Sequence, residues 1–217
     1  MIAPNKILQF VILIYTLCIA TLFILGAVVG QVEMIKWFNS IHTPFLDQLF
    51  ASLTLLGTAI IFVPFLVVAV FHRFSLAIGL LGNAILQSIV VSLFKRILFP
   101  RAPRPIQFLD PDIVHRVQGV SIHRWMSFPS GHTVTVFGLC VFVSLWTKNY
   151  WMSTALLLLA VLVGVSRMYL TQHFPIDVAT GAFFGSTIGA YTFMLTEYWN
   201  KSNWMNQRIN LPGPNRN

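Results

Sequence analysis

The stretch Ser166-Arg-Met-Tyr-Leu-Thr-Gln-His173-Phe-Pro-Ile-Asp177 joins the charge-free runs 149–166 and 178–196. It carries Arg167, His173 and Asp177 in a chain with very few charges. It therefore reads as the place where one membrane helix leaves the bilayer and the next enters. Ionisable residues at such a point are functional-site candidates. Two other stretches hold the same position beside apolar runs of their own: Phe128-Pro-Ser-Gly-His132-Thr133, and the basic segment from Lys95 to Arg104.

Working outward, the class follows from composition. Of 217 residues, 56% are hydrophobic and 9% charged, far below the roughly 25% charge of soluble domains. Besides the two runs above, residues 7–32, 48–72, 74–94 and 125–147 carry no charge. Each is long enough, or nearly so, for the roughly 20 residues that cross a bilayer core. The expected fold is all-α: one domain over 1–217, an integral membrane bundle of six transmembrane helices.

The first apolar run exceeds the h-region of a signal peptide and is expected to remain as a span. Cys18 and Cys140 fall inside spans and read as small buried apolar residues. The net charge of +8 is scattered over loops and chain ends. It forms no basic stripe, so nucleic acid is not an expected partner.

Taken in order, the spans are expected near 7–29, 51–71, 76–93, 129–146, 150–165 and 175–197. Residues 31–50 are too polar to span, and their aromatic residues suit an interfacial linker. Pro64 is a candidate kink in the second span. In the third, Asn83, Gln87, Ser88 and Ser92 make a polar, small-residue face expected to pack inward. Gly181, Gly185 and Gly189 line one face of the sixth, as close helix contact requires. Residues 95–127 form a long, proline-stiffened loop, and 198–217 a polar tail.

Alternation of spans then brings the three stretches together. The third and fifth spans exit on one face, and the fourth and sixth enter from it. Lys95, Arg104, Ser130, His132, Arg167, His173 and Asp177 all fall on that face. The local chemistry suits phosphate. Pro129-Ser130-Gly131-His132 opens a helix, with Ser130 as N-cap and Gly131 permitting close backbone approach. Pro175 fits the first turn of the next helix. Two helix N-termini and three cations favour an anion. His173 stands four residues before Asp177, so the carboxylate is expected to bond one ring nitrogen and leave the other as nucleophile. His132 is placed to protonate a leaving oxygen.

These residues resemble the type 2 phosphatidic acid phosphatase superfamily. Its second motif is Pro129-Ser130-Gly131-His132, and its third is Ser166-Arg167, five residues, His173, three residues, Asp177; both match in full. Its first motif, a lysine separated by six residues from Arg-Pro, is met by Arg104-Pro105 with Lys95 separated by eight, two more than usual. Arg96 and Arg101 stand as alternatives for that lysine. The resemblance implies His173 as a nucleophile forming a phosphohistidine, Asp177 as its partner and His132 as general acid. It implies Lys95, Arg104, Ser130, Gly131 and Arg167 as phosphate binders, with no metal and no other cofactor.

The implied partners are membrane lipids and a lipid phosphate substrate: phosphatidic acid, phosphatidylglycerophosphate, undecaprenyl diphosphate or a lipid A phosphate. The implied setting is the inner (cytoplasmic) membrane, with the termini in the cytoplasm and the site facing the periplasm or outside. Two rival functions remain. A phosphotransferase would pass the phosphoryl group from His173 to a lipid hydroxyl. A non-catalytic lipid-phosphate binding or transport protein would dispense with at least one of His132, His173 and Asp177, and all three are present.

Overall fold

The computed structural model describes residues 6–110, 112–199 and 207–208. Residues 1–5 and most of the expected tail 198–217 lie outside these. Helix α1 (Lys6–Val28) has 23 residues, about 34 Å at 1.5 Å per residue and enough to cross a bilayer. Its outward residues Ile12, Leu13, Leu17 and Ile24 are exposed. Apolar exposure on that scale marks a lipid-facing surface.

Residues 31–50, expected as a linker, are largely helical. Helix α2 (Gln31–Ser40) follows Gly30, whose φ of 92° turns the chain after α1. Helix α3 (Pro44–Leu53) starts with the Thr43 hydroxyl accepting from the Leu46 N–H at 3.2 Å and with proline at its first position. It continues as a tight turn to Gly57. The chain then bends by 67° into a segment ending in α4 (Phe62–His72). The expected kink at Pro64 is thus found at Thr58, which is extended (φ −86°, ψ 158°). Pro64 sits in the first turn of α4, where its missing N–H breaks no helical bond. The break lies where Gly57 meets the His132 side chain: a Cβ on residue 57 would lie 2.5 Å from His132 Cβ.

Helix α5 (Phe74–Leu93) passes into a wide π turn, Phe94–Leu98. Helices α6 (Gly131–Thr147), α7 (Tyr150–Tyr169) and α8 (Pro175–Trp199) follow. Four helical stretches are long and apolar enough to cross a membrane: α1, Phe74–Leu98, α7 and α8; the bent α3–α4 pair makes a fifth if counted as one span. Of the six expected spans, the fourth corresponds to α6, which at 17 residues is shorter than these. Helix α6 is the centre of the bundle, packed against α5, α7 and α8 with nearly every residue from Val136 to Leu145 buried. A helix apolar on all sides belongs in such a core.

The expected glycine face of α8 is directed at α6. A Cβ at Gly189 would sit 2.3 Å from the Gly138 carbonyl oxygen, so the backbones touch without side chains between them. On α5 the expected polar face divides. Asn83 and Gln87 are buried, and Asn83 donates to the Gly138 carbonyl at 3.2 Å. Ser88 and Ser92 instead lie exposed on the outer side, contrary to the inward packing expected for them.

Candidate active site

Three elements converge where α5 ends, α6 begins and α7 turns into α8. The long loop after α5 is tied back on itself: the Arg104 N–H donates to Arg124 O at 2.9 Å and the Ser127 N–H to Ala102 O at 3.1 Å. It is also docked on the rest of the fold. Asn39 and the His115 backbone exchange two hydrogen bonds, and the His115 ring lies 2.8 Å from Asp47 Oδ2. This docking places Arg104. Its Nε donates to Trp125 O at 3.0 Å, and its Nη1 donates to the Gln172 backbone and side-chain oxygens at 3.0 and 2.9 Å. A guanidinium held in a fork of fixed acceptors is pre-aimed.

Lys95 lies in the turn that leaves α5. Its Nζ donates to Met126 O at 2.9 Å, and its charge acts on His173. Arg96 and Arg101 are exposed and are not among the charges acting on His173. Lys95 and Arg96 both lie in the π turn Phe94–Leu98. Arg167 ends α7, buried to 6% exposure, with one guanidinium nitrogen bonded to the Thr54 hydroxyl and its Nε without a partner.

Ser130 does occupy the N-cap position of α6, but its hydroxyl accepts from the Thr133 hydroxyl at 2.8 Å and leaves the helix N–H groups uncapped. Those free donors are available to an anion. The Ser130 N–H donates to the Asp177 carbonyl at 3.0 Å, locking the two helix starts together. Pro175 opens α8 as expected.

His173 is 1% exposed and Asp177 3%. The expected direct bond between them is absent: Nδ1 lies 3.5 Å from Asp177 Oδ2, too long for a good hydrogen bond. Ser127 fills the gap. Its hydroxyl donates to Asp177 Oδ2 at 2.5 Å and lies 3.4 Å from His173 Nδ1, while the Phe174 N–H donates to the same Oδ2 at 2.9 Å. Sequence reasoning missed Ser127. The one available signal was its place two residues before the Pro129-Ser130-Gly131-His132 motif, inside a loop whose path is set only by tertiary contacts.

Burial first, then the charges of Arg104, Lys95, Arg167 and His132, hold the His173 imidazole well below its ordinary pKa. It is therefore neutral at pH 7, the form in which a ring nitrogen carries a free lone pair. Among the described residues, no carboxylate forms an ion pair with Lys95, Arg104 or Arg167. Three cations thus face one carboxylate, Asp177, in a largely buried site. Uncompensated buried charge is costly, and the arrangement calls for an anion carrying about two negative charges. Among the described residues, no group of three or more His, Cys, Asp or Glu side chains is placed to hold a metal ion.

Comparison with known proteins fits this geometry. The PAP2 superfamily matches residues 76–201. A lipid A 4'-phosphatase from Bacteroides thetaiotaomicron is 27% identical over 175 residues, 74% of either chain. An undecaprenyl-diphosphatase from Sulfolobus acidocaldarius is 28% identical over 159 residues, 73% of this chain and 74% of its own. The crystal structure of Aquifex aeolicus LpxE superimposes with a TM-score of 0.66 at 27% identity, covering 76% of this chain and 94% of that one. The match spans nearly all of α5, the whole 95–127 loop, the two helix starts and the Arg167–Asp177 turn, and on it the chain belongs to the PAP2 superfamily of phosphatases.

Proposed function

We propose that this protein removes phosphate from a membrane lipid through a phosphohistidine on His173. The observation that carries the reading is the excess of positive charge from buried Arg104 and Arg167 and half-buried Lys95 around a neutral His173. The phosphate dianion balances the cations, with Arg167 Nε and the free N–H groups at Gly131 and His132 as donors. With its proton on Nδ1 facing Ser127 and Asp177, His173 attacks phosphorus through Nε2. The P–N bond forms, the P–O bond to the lipid breaks, and His132, protonated once the phosphate dianion offsets the three cations, gives its proton to the leaving oxygen. A water molecule, deprotonated by His132, then attacks phosphorus and releases His173 and inorganic phosphate. Relatives that act on lipid A and on undecaprenyl diphosphate support a lipid substrate.

The six apolar segments, with α3–α4 as one broken span and α6 as a short central one, would place the site at one membrane surface and both chain ends at the other. We take the site surface to be the outer face of the cytoplasmic membrane.

The test is trapping. Purified protein, mixed with a phosphate-labelled lipid and quenched in base, should carry acid-labile label. His173→Ala should neither carry label nor release phosphate while keeping its melting transition. Normal release by His173→Ala would refute the mechanism.

A further inference from the structure

Gln172 stands directly before His173 and is 3% exposed. Its polar groups are all committed. Its N–H donates to Arg167 O at 2.9 Å, and its carbonyl accepts from Arg104 Nη1 at 3.0 Å. Its side-chain Oε1 accepts from the same Nη1 at 2.9 Å, and its Nε2 donates to Ser121 O at 3.1 Å. A guanidinium only donates and a carbonyl only accepts, so these two partners fix which way round the amide lies. The turn that presents Gln172 is strained. Thr171 has a φ of 55°, in the left-handed region usually given to glycine at a helix end, and a β-branched residue is unfavourable there. Such a turn persists only where its surroundings over-determine it, and here the four bonds of Gln172 do so together with the Thr171 N–H, which donates to Met168 O at 3.0 Å.

Arg104 shows what this commitment does. A guanidinium carries one N–H on Nε and two on each terminal nitrogen. Nε spends its donor on Trp125 O at 3.0 Å, and Nη1 spends both of its donors on Gln172. Nη2 reaches only Met126 O, at 3.4 Å. That is a long bond, to a carbonyl already taken by Lys95 at 2.9 Å. Nη2 therefore keeps donor capacity for a ligand, which on the phosphatase reading above is the phosphoryl group. We propose that Gln172 is a positioning residue for the reaction: its amide grips Arg104 by Nη1, leaves Nη2 as the edge that meets the phosphoryl oxygens, and ties that aim to the long loop through Ser121. An apolar side chain of the same length would strip Nη1 of one acceptor in a buried place and free the guanidinium to turn away.

The experiment is a double-mutant cycle read with orthovanadate, which mimics trigonal-bipyramidal phosphorus and binds without turnover. The full chain in detergent is compared as wild type, Gln172→Met, Arg104→Met and the pair, with vanadate affinity taken from calorimetry and the melting temperature checking the fold. Gln172→Met should weaken vanadate binding about tenfold to a hundredfold. Added to Arg104→Met, it should weaken binding by no more than about a further twofold, because its effect passes through the guanidinium. A merely structural role would cost as much in either background. Should Gln172→Met lose its melting transition, Gln172→Glu takes its place: it keeps an acceptor for Nη1 but offsets the Arg104 charge, and vanadate should bind about tenfold more weakly. Wild-type affinity in the folded Gln172 variant, or losses that multiply in the pair, would overturn the role of Gln172 alone. A wild type that binds no vanadate would overturn the phosphatase reading with it.

Discussion

Replacing Ser127 with alanine tests how His173 is oriented. The Ser127 hydroxyl supplies one of the two hydrogen bonds to Asp177 Oδ2, at 2.5 Å, the other coming from the Phe174 N–H at 2.9 Å. A hydrogen bond to an ionised, buried group contributes about 1.5–3 kcal/mol. The hydroxyl also lies 3.4 Å from His173 Nδ1, and its removal takes away none of the three cations. The loss should therefore fall on the step in which His173 becomes charged. At about 1.4 kcal/mol per tenfold in rate, kcat should drop roughly tenfold to a hundredfold, with KM little changed. Steady-state phosphate release gives the kcat and KM split, and rapid quench of the phosphoenzyme locates the slowed step. The melting temperature in detergent checks the fold. A kcat within about threefold of wild type, or a rise in KM at constant kcat, would show that Asp177 orients His173 without the hydroxyl.

Three other outcomes are expected. Gly189→Leu should destabilise the bundle by about 1–3 kcal/mol or more through overpacking against Gly138, whereas Gly82→Ala, with open space around it, should be neutral or slightly stabilising; thermal melts of both variants check this. His173 is neutral in the folded state but binds a proton when unfolded below its ordinary pKa of about 6.5. Stability should therefore fall as pH drops below about 6.5, by up to about 1.4 kcal/mol per pH unit, and His173→Ala should flatten that slope in melts between about pH 5 and 7. Finally, a cysteine at Asp112, in the long loop on the site's face, should react with a membrane-impermeant thiol reagent in intact cells, while one at Lys148, in the α6–α7 turn, should not; the reverse pattern would place the site at the inner leaflet.

The chain alone was enough for the membrane class, the helices α1, α5, α7 and α8, and the convergence of Lys95, Arg104, Ser130, His132, Arg167, His173 and Asp177. Long charge-free runs have one stable form in a bilayer, and alternation of spans needs no coordinates. Composition did not separate a span from a buried core helix, so α6 passed for an ordinary span until its neighbours were seen around it. The break at Thr58 also escaped, because it depends on Gly57 meeting His132 across the bundle rather than on local propensity, which pointed to Pro64. Ser127 and the Lys95 choice rest on the course of a long loop, set by Asn39, Asp47 and Gln172 from distant parts of the chain. Gln87 looked like packing and does pack, through Asn83 onto Gly138. The cavity beside it exists because α4, α5 and α6 leave a gap there, and a gap between helices is a property of three surfaces together.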